Sequence, residues 1–201
     1  MTFKHMKNTM RVSMRSLSLL MVLLVSGCST ALDDYANSTP KFELQSYFDG
    51  ELTAWGIVED YSGKLTRRFC VDIIGTWDDN QGQLHETFYY NDGEQQIRIW
   101  DLEVDADGKV TGSAGDVVGQ ASGGAVGAAF NWQYTLTVPI GDSEYDFAID
   151  DWMFQMDEHR VMNRSYMKKF GITVAEISIF FDKTQPLRKC QGSAQTAENQ
   201  G

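Results

Sequence analysis

Between about residues 42 and 184, apolar side chains recur at every second position rather than every third or fourth. Successive side chains of a strand point to opposite faces, so this spacing marks half-buried β-strands and excludes amphipathic helices. Leu65, Arg67, Phe69, Val71 and Ile73 share one face. Leu84, Glu86, Phe88 and Tyr90 share a second, and Trp132, Tyr134, Leu136, Val138 and Ile140 a third, with Gln133, Thr135 and Thr137 opposite. Asn91-Asp92-Gly93, Asp105-Ala106-Asp107-Gly108, Ser62-Gly63 and Ile140-Gly141-Asp142 punctuate the pattern. Asn, Asp and Gly tolerate the positive φ that tight hairpin turns need.

The pattern predicts strands at about 43–48, 50–59, 64–77, 82–91, 94–104, 109–118, 129–139, 144–155, 159–168 and 172–182. No long amphipathic helix separates them. Short hairpins between consecutive strands imply an antiparallel meander. Closure removes the exposed edges of such a sheet. The expected fold is therefore all-β, a meander closing into an 8-10-stranded barrel that resembles the lipocalin and calycin group; an open sandwich is the alternative. A barrel of about eight strands or more has room for one small ligand.

The N-terminus carries a different signal. Lys4, Lys7, Arg11 and Arg15 precede an apolar run from Leu17 to Val25, the layout of a secretory signal. That run is far below the roughly 20 apolar residues that cross a bilayer. Val25-Ser26-Gly27-Cys28 looks like a bacterial lipobox, which would place the cut before Cys28 and a lipid on its thiol. Ser29 follows, not the Asp typical of inner-membrane retention. By that analogy the expectation is a lipoprotein anchored in the outer membrane and facing the periplasm. The expected organisation is a cleaved signal at 1–27, a lipidated cysteine and polar tether at 28–41, a barrel domain at 42–184 and a flexible tail at 185–201. The signal holds four of the 17 basic residues and none of the 28 acidic ones, so the remainder is more acidic than the whole-chain charge of −11. Such a surface argues against nucleic acid as a partner.

Several strings also resemble a family of bacterial lipoproteins known only as a domain of unknown function. They are Phe48 to Gly56 (FDGELTAWG), Thr66 to Phe69 (TRRF), Asp116 to Gly119 (DVVG), Asp150 to Met153 (DDWM) and Asn163 to Gly171 (NRSYMKKFG). The resemblance implies an envelope protein and brings no assigned activity.

Few residues suggest chemistry. Gly115, Gly119, Gly123 and Gly127 recur every four positions in the stretch 112–128, which reads as strand–turn–strand. Bare backbone there accepts either a packed aromatic ring or a ligand. Arg67 and Glu86 fall among apolar residues on their own faces, and Arg98 lies between Ile97 and Ile99. A buried charge needs a partner. Two readings stand: an arginine paired with Glu86 inside the barrel, or arginines holding an anionic head group. Asp150 and Asp151 are adjacent and point to opposite faces of any regular strand, so they cannot share a site. Asn163, Arg164, Lys168 and Lys169 form a basic spot suited to pairing with the acidic stretch 150–158 as a hairpin neighbour. His85 and His159 lack zinc-ligand spacing. Cys70 and Cys190 are either bridged, as an exported chain allows, or free.

The functional expectation is binding or carriage of an apolar, lipid-like ligand, with no cofactor and no metal. Arg67, Arg98 and Glu86 would orient its head, and Phe69, Phe88, Trp100, Trp132 and Tyr134 would line the apolar part. The alternatives are a non-catalytic envelope-assembly protein with a filled barrel and a protein partner, and a lipid-modifying enzyme using Glu86 or Asp151.

Overall fold

A computed structural model describes residues 30–185 and Cys190. The lipobox and Cys28 lie outside the described residues, as does most of the C-terminal stretch.

The expected meander forms and closes. Its ten strands are β1 (Gly50–Asp60), β2 (Leu65–Asp78), β3 (Gln81–Tyr90), β4 (Gln95–Val104) and β5 (Lys109–Ser113), then β6 (Val117–Val126), β7 (Ala129–Ile140), β8 (Ser143–Gln155), β9 (Arg160–Lys169) and β10 (Ile172–Asp182). Each pairs antiparallel with its sequence neighbours, and β1 pairs with β10 from Thr53↔Asp182 to Asp60↔Ala175. The result is a closed ten-stranded antiparallel barrel without a free edge.

Alternation sets what each wall faces. On β2 the buried Phe69, Val71 and Ile73 point inward. On β4 the inward residues are Trp100 and Leu102, while Ile97 and Ile99 face out at 62% and 40% exposure. Gly56 on β1 makes room for the Phe69 ring, which a Cβ there would strike.

Three segments depart from the sequence expectation. Residues 44–48, expected as a strand, form a short helix, α1 (Leu44–Phe48). It carries the buried Tyr47 and Phe48 to the end of the barrel where β1 begins and β10 ends, and Phe48 packs edge-on against Phe181. Tyr47 donates its hydroxyl proton to the His159 carbonyl, and Lys183 donates to the Ser46 and Asp49 carbonyls at the helix C-terminus. Cations suit that end of a helix.

Residues 32–42, expected largely as tether, lie along the barrel. Tyr35 packs against Trp152 and Phe154, and Ser38 Oγ accepts the Ala128 N–H. Phe42 donates its N–H to Gly127 and stacks on Phe130. Aromatic residues in this otherwise polar segment give it apolar surface to bury.

The stretch 112–128 has the expected strand–turn–strand form, but its second strand, β6, was not among the strands that alternation marked. β6 pairs with β5 and β7, with a register break between Val118 and Ser122 and positive φ at Gly119. A Cβ at Gly112 would meet the Leu102 side chain first and one at Gly123 the Asn131 carbonyl, with the Trp132 ring close to both, so packing within the wall accounts for these two glycines.

Cys70 and Cys190 form a disulfide with their Cα atoms 5.4 Å apart. Cys190, in the segment expected as a flexible tail, is fully buried. The bridge spans 120 residues, and closing so long a loop disfavours the unfolded chain. Cys190→Ser is expected to cost roughly 2–5 kcal/mol in chemical denaturation; an unchanged midpoint would remove the bridge from the account. Gly75 lies directly beneath the Phe48 carbonyl, with no room for a Cβ. Gly75→Ala is therefore expected to loosen α1, read as faster amide hydrogen exchange at residues 44–48 with the distant β7–β8 hairpin unaffected.

Candidate functional site

The barrel is hollow. A cavity of about 440 Å³ runs from Phe48 and Phe130 at the α1 end towards Arg67, Glu94 and Pro139 at the other. Its size falls within the range of small-molecule sites. All eight candidate residues line it: Arg67, Phe69, Glu86, Phe88, Arg98, Trp100, Trp132 and Tyr134. Their rings form two groups, Phe69 against Phe88, and Trp100 against both Trp132 and Tyr134. Leu84, Ile149 and Ile177 extend the apolar wall.

The polar groups lie in two places. Near the rim, the Arg67 guanidinium sits 3.6 Å above the Tyr90 ring and pairs with Asp92 at 2.8 Å and Glu94 at 2.9 Å. Both acids come from the turn between β3 and β4, and the pairs hold the guanidinium charged although burial opposes it. The Arg67 Nε is buried without a hydrogen-bond partner.

Deeper, Arg98 points inward despite its two isoleucine neighbours. Its Nε donates to both Asp116 oxygens at 3.0 Å, and its Nη2 to Oδ2 at 2.7 Å. Such a fork on a carboxylate is a strong, oriented pair. Glu86 is opposite Arg98 in the β3–β4 register. The expected choice between structural pairing and head-group binding thus has a third outcome. Both arginines are ion-paired, yet the partners are Asp92, Glu94 and Asp116 from turns, not Glu86.

Glu86, on β3, lines the cavity. Burial pushes its pKa up to about 7; Arg98 offsets part of this, while Asp116 and Asp151 add to it. Asp151 is 6% exposed. Ser165 donates its hydroxyl to Asp151 Oδ1 at 2.8 Å, and the Asn163 amide donates to the same oxygen. Burial raises the Asp151 pKa to about 6 against these two donors. Burial also raises Tyr134, helped by the Asp151 charge, so its phenol stays protonated.

Asp150 and Asp151 do face opposite ways. Asp150 points outward, pairs with Lys168 at 2.8 Å and accepts from Asn131 and Trp152. The β8–β9 pairing thus joins part of the basic spot to the acidic stretch; Arg160, outside that spot, pairs with Asp157 at 2.9 Å across the β8–β9 turn. Among the described residues, no cluster of three or more metal-ligating side chains occurs.

Asp116, Asn163 and Ser165 were not among the sequence candidates. Alternation from the buried Val161 puts Asn163 and Ser165 on the inward face, a signal that was present. Asp116 sits in the turn between β5 and β6, where no periodicity reports direction.

The chain belongs to the family described as "Protein of unknown function (DUF3833)", whose model matches residues 22–183. No curated protein matches it. Among solved structures, it is similar to lobster apocrustacyanin A1 at 16% identity over 79% of this chain and 72% of that one, with a TM-score of 0.37. It is similar to apocrustacyanin C2 at 17% identity, over 87% and 82%, with a TM-score of 0.40.

The Glu86 carboxyl has a direct consequence for stability. Its pKa is higher folded than in an open chain, so the folded state holds the proton more tightly. That contribution is complete below about pH 4.5 and is lost as pH rises through about 7. Glu86→Gln, which keeps the size and shape of the side chain, is expected to raise the melting temperature at pH 8 by about 2 °C or more, the size of roughly 1 kcal/mol in a chain of this length. The gain should shrink at pH 5. An equal effect at both values would place the Glu86 carboxyl in water.

Proposed function

We propose that this protein binds a small apolar ligand inside its barrel. The observation that carries this reading is the cavity of about 440 Å³, walled by aromatic and aliphatic side chains with a few fixed polar groups among them. A filled barrel, the alternative that would favour a purely scaffolding role, has no such space. Apolar walls release water from the ligand, at about 25 cal/mol per Å² covered, and the polar groups orient it.

The remaining features extend this proposal. Tyr134, the Arg67 Nε and the carboxyls of Glu86 and Asp151 offer hydrogen bonds to a polar head, while the rings of Phe69, Phe88, Trp100 and Trp132 hold its chain. The signal-like N-terminus and Cys28 support a lipid-anchored protein of the outer membrane, which would hold the barrel close to its source of ligand. A specific observation favours an enzymatic second reading: two carboxyls with raised pKa in one cavity are a pattern that acid–base sites share.

The test is direct. The purified protein is expected to take up a fluorescent apolar probe saturably, one per chain. Met167 is half-buried on the cavity wall, and Met167→Trp should fill part of the space. The variant is expected to weaken uptake by about tenfold or more, equivalent to 1.4 kcal/mol, with an unchanged circular dichroism spectrum. Absence of saturable uptake by the parent protein would overturn the reading; substrate turnover lost in Glu86→Gln, with probe uptake kept, would establish the enzymatic one.

A further inference from the structure

We propose that the ligand's polar end is a cation, a protonated amine seated beside Glu86 and Asp151. This rests on the ligand-binding reading above and adds the charge class of the ligand.

Six charged side chains line the cavity: Arg67, Arg98, Glu86, Glu94, Asp116 and Asp151. Acids outnumber cations by two, and the pairing shows which acids are left over. Arg98 is engaged by Asp116 through its Nε and Nη2. Arg67 is shared between Glu94 and Asp92. Among the described residues, no cation comes within ion-pair distance of Glu86 or Asp151. The hydrogen bonds on Asp151 come from neutral donors, the Ser165 hydroxyl and the Asn163 amide; Glu86 lies across from Arg98 in the β3–β4 register without forming an ion pair with it.

A carboxylate inside an apolar cavity without an ion-pair partner is costly to keep ionised. A ligand ammonium supplies the missing charge. A carboxylate or phosphate head would bring a further negative charge into a cavity whose arginines are already neutralised. The surrounding rings favour the same sign, since an indole or phenol face attracts a cation. The titratable and charged groups that act on Glu86 or feel its charge are Arg98, Asp116, Asp151 and Tyr134. Arg98 opposes a bound cation, but its charge is matched by Asp116 at 2.7 Å. Because Glu86 gives up its proton near neutral pH, amine affinity should rise from pH 5 to pH 8.

The experiment compares three probes with one chain length: dodecylamine, dodecanol and dodecanoate, each titrated into the protein at pH 8. The amine is expected to bind about tenfold more tightly than the alcohol, a difference of 1.4 kcal/mol, and dodecanoate is expected to bind most weakly. In the double variant Glu86→Gln/Asp151→Asn the amine should lose its advantage while alcohol binding persists. Dodecanol or dodecanoate binding as tightly as the amine would overturn the charge assignment and leave the apolar cavity standing. An amine preference that survives the double variant would overturn it too, by placing the cation on the acidic outer surface. Failure of all three probes to bind would sink the ligand-binding reading itself, and this inference with it.

Discussion

The pairing of β1 with β10 is the constraint on which the rest depends. It turns a linear meander into a closed wall, so every residue of one alternation parity faces a common interior. Without that seam, Arg67, Glu86 and Arg98 would lie on one side of an open sheet, with the Asp151 strand several strands away along it. With it, Glu86 on β3 and Asp151 on β8 come close enough for the charge of Asp151 to raise the pKa of Glu86. The floor depends on the same closure. Phe48 reaches Phe181 on β10 while its carbonyl rests against Gly75 on β2, so α1 is held by strands from both sides of β1.

Within the wall, charge pairing decides what the cavity can hold. Asp92, Glu94 and Asp116 come from the turns at one end of the barrel, and they engage the two arginines. Glu86 and Asp151 come from strand interiors; Asp151 is held by a hydroxyl and an amide, and Glu86 lies across from an Arg98 already committed to Asp116. Turns bring acids to the cations, and strands leave acids without them. The cavity is therefore apolar in most of its surface and acidic at one place. A head group reaching that place meets hydrogen-bond donors already committed to carboxyl oxygens.

The strands were readable because their side chains alternate, and the inward placement of Phe69, Glu86, Trp132 and Tyr134 follows from parity alone. Arg98 was harder, since its isoleucine neighbours are more apolar than it is; the structure turns those isoleucines outward. β6 was hidden because glycine has no side chain to carry an alternation signal. α1 was misread because five residues are too few to separate one helical turn from a short strand. The partners of the arginines were beyond reach for a different reason. Asp116 is 18 residues from Arg98, and Asp92 is 25 from Arg67, and periodicity within one strand does not say which turn folds over it. The disulfide was open in the sequence because its two ends are 120 residues apart.

The central claim is a hollow barrel with an apolar wall and an acidic seat. A crystal structure of the protein grown with a long-chain amine tests it most directly. The expected result is a hydrocarbon chain between Trp100, Trp132 and Phe88, with the nitrogen at hydrogen-bonding distance from the carboxyl oxygens of Glu86 or Asp151. An interior filled by its own side chains would contradict the account, as would an amine lying outside the barrel.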